Sequence, residues 1–326
     1  MKGAIEMEPN LPDASWDDQQ TALGAHMLQT SAWAAFQKAL GKRIFYSRGA
    51  GWSWLAVLER NRFGTRLYCP YGPTAHSVAA LRAALESLAT CATKHNAHFV
   101  RIEPTGPIQA TDLRALGLHK SPRDINPRHT WTKDLRKSQD ELLAEMSATN
   151  RNLYRTASKK GLSFRHSTQP ADIKILLEMI HEVAARAGIQ PHPDAYYIAM
   201  AKTLMPRGSA TLFIAEHEGK AVSASLALDS PATRYYAHAG ARDQARKLHP
   251  GTPLLAHMIF DAKAAGKQTF DFFGIAPPDQ PNHAWRGFTA FKQSFGGHDV
   301  EFAGTWELPI KKAHYHVYKT LRSFGR

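Results

Sequence analysis

Short apolar blocks, alternating or continuous, run through the chain and are cut apart by glycine and proline. In the first third, WSWLAVLER (52–60) and TRLYCPYGP (65–73) read as two strands joined by the turn NRFG. Ahead of them, QTSAWAAFQKALG places Trp33, Phe36 and Leu40 at helical spacing, with Thr30 or Ser31 to cap the helix and Gly41 to end it. A helix from about Ser77 to His95 carries Leu81, Leu85 and Leu88 on one side, and FVRIEP (99–104) is a strand stopped by Pro104.

Beyond a loop rich in Pro, Gly and Arg, HTWTKDL (129–135) predicts another strand. From Ser138 the pattern predicts one long helix, SQDELLAEMSATNRNLYRTASKKG, acidic in its first turn and basic in its last, as the helix dipole favours. PADIKILLEMIHEVAARAG and PDAYYIAMAKTLM are two further helices. TLFIAEHEGKAVSASLALDS (211–230) is a hairpin turning at Glu218 and Gly219, followed by the strand RYYAHAGA, the amphipathic helix TPLLAHMIFDAKAAG and the strand FDFFGI. Residues 1–24 carry Pro, Asp and Gln with no period and predict a flexible tail.

Set side by side, the two halves repeat one order of parts: two strands, a third ending in a glycine-containing turn, a helix and another strand. An internal duplication explains this economically. The order is that of the GCN5-related acyltransferase (GNAT) fold, in which parallel strands splay to hold an acyl donor. The expected class is therefore α/β (mixed α+β), two tandem GNAT-like domains. The first spans 25–128 and is completed by the C-terminal segment 308–326; the second spans 129–307.

Composition narrows the partners more than the fold. The 326 residues suit two domains, and no run of eighteen apolar residues or signal-peptide pattern occurs, which favours a cytoplasmic protein. Cys69 and Cys91 lie far apart without metal-ligand spacing, so both read as core thiols and no metal is implied. The balance of 41 Lys and Arg against 28 Asp and Glu leaves a net charge of +13, which suits a polyanionic partner, although surplus charge also serves solubility alone.

The common catalytic signatures are missing: no GxxxxGK[ST] loop, no HExxH and no GxSxG. A coenzyme A acyltransferase would offer a glycine-rich RxxGxG/A loop before the second-half helix. Here the stretch reads ARDQARKLHPGTP, where Pro250 and Pro253 remove amides and only Gly251 remains. Coenzyme A held in the usual way is disfavoured.

The stretches LQTSAWAAFQKALG, YCPYGP, FVRIEP, NRNLYRTASKKG and HPDAYY occur in a fixed order. They lead to FDFFGIAPPDQPNHAWRGFTAFKQSFGG and GTWELP. From about Leu28 to Arg322 the sequence resembles the Fem family of aminoacyl-tRNA-dependent peptidyltransferases (the FemABX group). With no heptad run for a coiled-coil arm, it is similar to the compact, FemX-like type.

The resemblance implies transfer of an amino acid from aminoacyl-tRNA to the side-chain amine of a peptidoglycan precursor, nucleotide-linked or lipid-linked. An aminoacyl ester is already activated, so no cofactor is called for, only alignment and a place for the oxyanion. By resemblance, the FK pair, Phe291 and Lys292, stabilises the tetrahedral intermediate, and Glu103 in FVRIEP binds the incoming amine. Asp271 in FDFFG is a second carboxylate that equally suits bracing the fold.

For the acceptor, Trp33, Tyr71, Tyr196 and Tyr236 are candidate pocket residues, each equally at home in a core or interface. Two basic positions of the family are altered: Gln37 with neighbouring Lys38 stands at one, and His192, four residues before Tyr196, at the other. For tRNA phosphates the candidates are Arg151, Arg155, Lys159 and Lys160, with KKAHYHVYKTLR at the C-terminus. That last stretch is also an amphipathic basic helix suited to an anionic membrane surface. Two other readings remain open: an acyl-CoA-dependent N-acyltransferase acting on a small amine, and a non-catalytic RNA-binding protein.

Overall fold

A computed structural model describes residues 6–7, 11–61 and 64–324. The chain divides into two units, residues 1–128 with 301–326, and residues 129–300.

The first unit contains, in chain order, β1 (Glu6–Met7), α1 (Ala14–Ala22), α2 (Ser31–Ala39), β2 (Arg43–Gly49), β3 (Trp52–Asn61), β4 (Gly64–Cys69), β5 (Thr74–Ala75), α3 (Val78–Lys94), β6 (Phe99–Ile102), α4 (Ala110–Ala115) and β7 (His119–Lys120). The second contains β8 (His129–Asp134), α5 (Gln139–Ala144), α6 (Ala148–Arg155), β9 (Leu162–Ser167), α7 (Ile173–Ala187), α8 (Asp194–Leu204), β10 (Ala210–His217), β11 (Lys220–Asp229), β12 (Thr233–Ala241), α9 (Gly251–Ala264), β13 (Thr269–Gly274), α10 (Arg286–Gln293) and β14 (His298–Glu301). The chain then returns to the first unit as β15 (Trp306–Pro309) and α11 (Lys312–Phe324).

The two sheets have the same plan. The first is ordered β1-β2-β3-β4-β6-β15-β7, with β5 paired to β3; the second, read from its other end, is β9-β10-β11-β12-β13-β8-β14. In each, one parallel pair, β4 with β6 or β12 with β13, interrupts antiparallel neighbours. The strand that follows in space, β15 or β8, is antiparallel to the parallel pair's outer member. This is the duplicated acyltransferase layout that the sequence pattern predicts.

Each unit has its own core. In the first, Trp52, Trp54 and Trp306 pack with α3's Leu81, Leu85 and Leu88, and both thiols, Cys69 and Cys91, are buried there. In the second, Phe213, Phe270, Phe272 and Phe295 pack against α9's Leu254, Leu255, Met258 and Ile259.

Three expectations need correction. Residues 11–24 are not a loose tail, although residues 1–5 and 8–10 lie outside the described residues. Asp13 caps α1, and Trp16, 1% exposed, donates from its indole nitrogen to the Gln29 carbonyl at 2.8 Å. The stretch Arg43–Gly49, which the reading passed over, is a full strand of the first sheet. The long helix from Ser138 is two helices broken at Met146 and Ser147, because Ser147 caps α6 and its amide donates to the Ser294 carbonyl at 2.8 Å.

Candidate active site

The second unit's site is built where β12 and β13 part. Their parallel pairing runs from Thr233 opposite Thr269 to Tyr235 opposite Asp271 and stops there. β13 sends Phe270 and Phe272 into the core, which leaves Asp271 on the opposite face of the strand. Beyond Asp271 the pairing with β8 is also interrupted, resuming at Gly274 opposite Thr130. Phe273, in the interruption, takes φ 66°. This left-handed conformation costs a non-glycine residue about 1–2 kcal/mol. The Phe273 amide offsets part of that by donating to Asp271 Oδ1 at 2.7 Å.

α10 brings Lys292 to the same place. Its ammonium donates to the Gly274 carbonyl at 2.6 Å. The Thr289 hydroxyl accepts from the Ala276 amide at 2.8 Å, tying α10 to the chain leaving β13. At the helix's end the fully buried Lys133 donates to the Phe295 carbonyl at 2.9 Å and pairs with Glu145. Phe291 packs against the core, edge-on to Phe295 with ring centroids 5.3 Å apart. Gly297 closes the turn at φ 108°, where a Cβ would lie 2.2 Å from the Thr132 carbonyl oxygen, so no other residue fits.

Electrostatics make Asp271 and Lys292 a poised pair. Burial pushes the Asp271 carboxyl up to about 7, against the pull of the Phe273 amide and the Lys292 charge. Burial likewise brings the Lys292 ammonium down to about 8, while Asp271 opposes the change. Each group is desolvated and each holds the other's charge, so both titrate near neutrality.

Around the opening of the strands, Tyr236 is half-buried, its hydroxyl pushed up to about 12 by burial. His192 is exposed and stacks on half-buried Tyr196 with centroids 4.2 Å apart. The sequence reading passed over two neighbours of that stack, Tyr197 on α8 and His238 on β12, whose rings meet edge-on at 5.0 Å. His238 is brought down to about 4, chiefly by burial and then by His192, so it is neutral at physiological pH. His238 lies in the strand RYYAHAGA past the point where β12 and β13 part, and Tyr197 follows Tyr196 in the PDAYY stretch of α8.

The four basic candidates do not act alike. Arg151 donates to the carbonyls of Ala144 and Met146 and so caps α5 across the helix break. Arg155, at the end of α6, and Lys159 and Lys160, in the short turn after it, are exposed.

In the first unit, Glu103 follows β6 and is 2% exposed. Its Oε2 accepts from the Tyr68 hydroxyl at 2.9 Å, the Tyr71 amide at 3.2 Å and the Asn126 side-chain amide at 2.6 Å. Its Oε1 accepts from the Asn126 backbone at 2.9 Å and the Thr305 hydroxyl at 2.8 Å. Every lone-pair direction is taken by protein. Tyr71 is 1% exposed, stacks on His26 and donates its hydroxyl to the Pro127 carbonyl at 2.8 Å, so its surroundings are those of a core residue. Trp33 is also buried, but its indole nitrogen has no hydrogen-bond partner among the described residues. Lys38, at the end of α2, is exposed.

Among the described residues no cluster of His, Cys, Asp and Glu could hold a metal ion, and no helix is long and apolar enough to cross a membrane.

The acetyltransferase (GNAT) domain model matches residues 146–286, inside the second unit. Lipid II:glycine glycyltransferase of Staphylococcus saprophyticus is 27% identical over 159 residues, 45% of this chain and 38% of that protein. Its Staphylococcus aureus counterpart is 29% identical over 153 residues, 43% of this chain and 36% of that protein. The aligned segment thus spans less than two fifths of the curated relatives it matches. Among solved structures, FemX superposes with a TM-score of 0.84 at 19% identity, covering 96% of this chain and 99% of that one. L-PGS from Bacillus licheniformis superposes at 0.60 with 14% identity, covering 96% and 98%. The chain thus has the FemX fold along almost its whole length, built from two acyltransferase-fold units, and part of it is similar in sequence to the glycyltransferases.

Proposed function

We propose that the protein transfers an amino acid from aminoacyl-tRNA to the side-chain amine of a peptidoglycan precursor. The observation that carries this reading is the half-buried Lys292, held on the Gly274 carbonyl within electrostatic reach of the buried Asp271, at the point where β12 and β13 separate. An aminoacyl ester laid in that opening needs no activation. The acceptor amine attacks its carbonyl carbon, and the negative charge that develops on the carbonyl oxygen is met by the Lys292 ammonium in a site of low dielectric. The carbon–oxygen bond to the ribose then breaks, the new amide forms, and the ribose hydroxyl takes up the proton that the amine gives up. Asp271 holds Lys292 charged against desolvation. Phe291 keeps α10 seated on the core.

Glu103 is assigned a bracing role, since its oxygens are already satisfied, in place of the amine-binding role that the motif suggested. Tyr236, Tyr196 and His192 are assigned to the acceptor. Trp33, whose indole nitrogen is buried, is a core residue of the first unit in this reading, and Lys38 is an exposed charge at the end of α2. Tyr71 is a core residue in this reading. Arg155, Lys159 and Lys160 take tRNA phosphates, and Arg151 positions the helix that carries the first of them. α11 keeps the basic character that suits an anionic membrane surface on which a lipid-linked acceptor would lie.

The start of α9 supports an RNA donor over an acyl-CoA: Pro250 caps the helix, Pro253 lacks an amide, and the Thr252 amide donates to the His249 carbonyl. Few amides are left for a pyrophosphate. The test is transfer of labelled amino acid from charged tRNAs to purified nucleotide-linked and lipid-linked precursors, alongside acyl-CoA donors. Transfer from acyl-CoA but from no charged tRNA would overturn the reading.

A further inference from the structure

Two large aromatic side chains stand in solvent beside the site. Trp285 is 40% exposed and Phe288 is 64% exposed, in a chain whose other exposed large hydrophobics are aliphatic among the described residues. Trp285 caps α10 and Phe288 lies in its first turn. With Lys292 they fall at i, i+3 and i+7, one side of the helix. At 1.5 Å per residue, Phe288 sits roughly 6 Å and Trp285 roughly 10 Å along the axis from Lys292. Stacked nucleotides advance about 3.4 Å each, so the last few bases of a strand ending at Lys292 would reach both rings.

The arrangement is held in place. The His283 ring meets Trp285 edge-on at 5.1 Å, and its Nδ1 accepts from the Trp285 amide at 3.1 Å. The Trp285 carbonyl in turn accepts from the Thr289 hydroxyl at 3.0 Å. Arg286, between the two aromatics, is exposed and pairs with no carboxylate among the described residues. An exposed cation on the adjoining side of the helix, beside two exposed rings, fits a strand with phosphates outside and bases free to stack. It does not fit a purely apolar partner. The +13 charge of the chain favours the same occupant.

We propose that Trp285 and Phe288, with Arg286 on the adjoining side of the helix, form a stacking platform for the unpaired 3′-terminal bases of the RNA that delivers the amino acid. This rests on the aminoacyl-tRNA reading above and names the feature of the donor that this face recognises. The platform sets the register of the ester against Lys292, so Trp285 and Phe288 are positioning residues.

The test compares binding of tRNA with an intact 3′ end and of the same tRNA trimmed of its unpaired nucleotides, by fluorescence anisotropy on the full chain. Trimming should weaken binding to the unaltered protein by about 5- to 100-fold, the range measured for single stacked bases. Trp285→Ala and Phe288→Ala should weaken binding of intact tRNA within that range and leave trimmed tRNA unaffected, while Trp285→Phe keeps most of the preference. Both side chains are exposed, so circular dichroism should show the variants folded. An unchanged preference for the intact end in both alanine variants overturns the platform; if transfer from charged tRNA persists there, the proposed function stands. Loss of binding to anionic phosphatidylglycerol vesicles with RNA binding unchanged also overturns it and makes the patch a membrane contact. Failure of the unaltered protein to bind any tRNA or to transfer from one sinks both readings.

Discussion

The pH dependence of transfer isolates what Lys292 does. The acceptor amine, with an ordinary pKa of about 10.4, becomes about tenfold more available per pH unit across the neutral range. Lys292 works the other way: with its ammonium brought down to about 8, half of the oxyanion's partner is gone there, and about tenfold more is lost per unit above. The product of the two fractions climbs to about pH 8 and then levels off. Lys292→Met should lower the rate at pH 7 by about 10²- to 10³-fold, the usual loss of one oxyanion donor, and the remaining rate should keep climbing past pH 9. Lys292→Arg, which cannot lose its charge, should abolish the plateau wherever it still supports transfer. Asp271→Asn removes the charge that raises Lys292, so the break should move below about 8. The assay is single-turnover transfer of labelled amino acid from charged tRNA between about pH 6.5 and 9.5, with spontaneous ester hydrolysis subtracted. An unaltered enzyme that climbs without a break, or a Lys292→Met variant within threefold of it, would refute the reasoning.

Asp271 should also be costly to the fold. Its folded-state value of about 7 lies above the ordinary 3.8, so its contribution to stability is fully present below about pH 4 and is lost as pH rises through about 7. Asp271→Asn should therefore raise the stability of the second unit at pH 8, by up to roughly 4 kcal/mol in chemical denaturation, while transfer falls. Glu103→Gln trades an acceptor for a donor facing the Asn126 and Tyr68 donors and should cost about 2–4 kcal/mol in unfolding of the first unit; intact stability with abolished transfer would restore Glu103 to a substrate role. Arg101 donates to Glu307 at 3.1 Å and to the Tyr318 hydroxyl at 2.8 Å, in a site where both charged side chains are 3% exposed or less. Arg101→Met should cost about 3–5 kcal/mol by stranding Glu307, and Arg101→Met with Glu307→Leu should recover most of it, read by thermal unfolding.

Local pattern carried much of this fold. The helix expected from Ser77 to His95 is observed as Val78–Lys94, and the hairpin turns at Glu218 and Gly219, both at positive φ. These features depend on periodicity and turn chemistry, which a single sequence displays. The break at Met146 and Ser147 does not. No glycine or proline marks it, and the Ser294 groups that hold it, accepting from Ser147 and Asn150, lie about 145 residues downstream. The strand Arg43–Gly49 and the helix anchored by Trp16 were passed over because their partners are also remote in sequence. At the candidate site, the motif singles out Lys292 and Asp271 as residues. Their pairing and shifted charges follow from burial, which no motif shows.

The duplication sets two carboxylates side by side for comparison, one with its oxygens saturated and one without. Glu103 follows β6 just past its parallel pairing with β4, and Asp271 is the last residue of β13 paired in parallel with β12, in two sheets of the same order. In the first unit the neighbouring loops fill that place: Asn126 and Thr305 close on Glu103, and Tyr68 reaches across from β4. The helix between β6 and β7, α4, sends Arg114 over the Trp306 ring at 5.7 Å. In the second unit the helix between β13 and β14 is α10, and its cation, Lys292, donates to the Gly274 carbonyl within electrostatic reach of Asp271. Asp271 has a single backbone amide in place of Glu103's ring of donors, so its charge is met by a lysine that can itself move a proton or hold one. Saturation suits the first carboxylate to bracing, and on the proposed function the less saturated Asp271 is the one left to support Lys292.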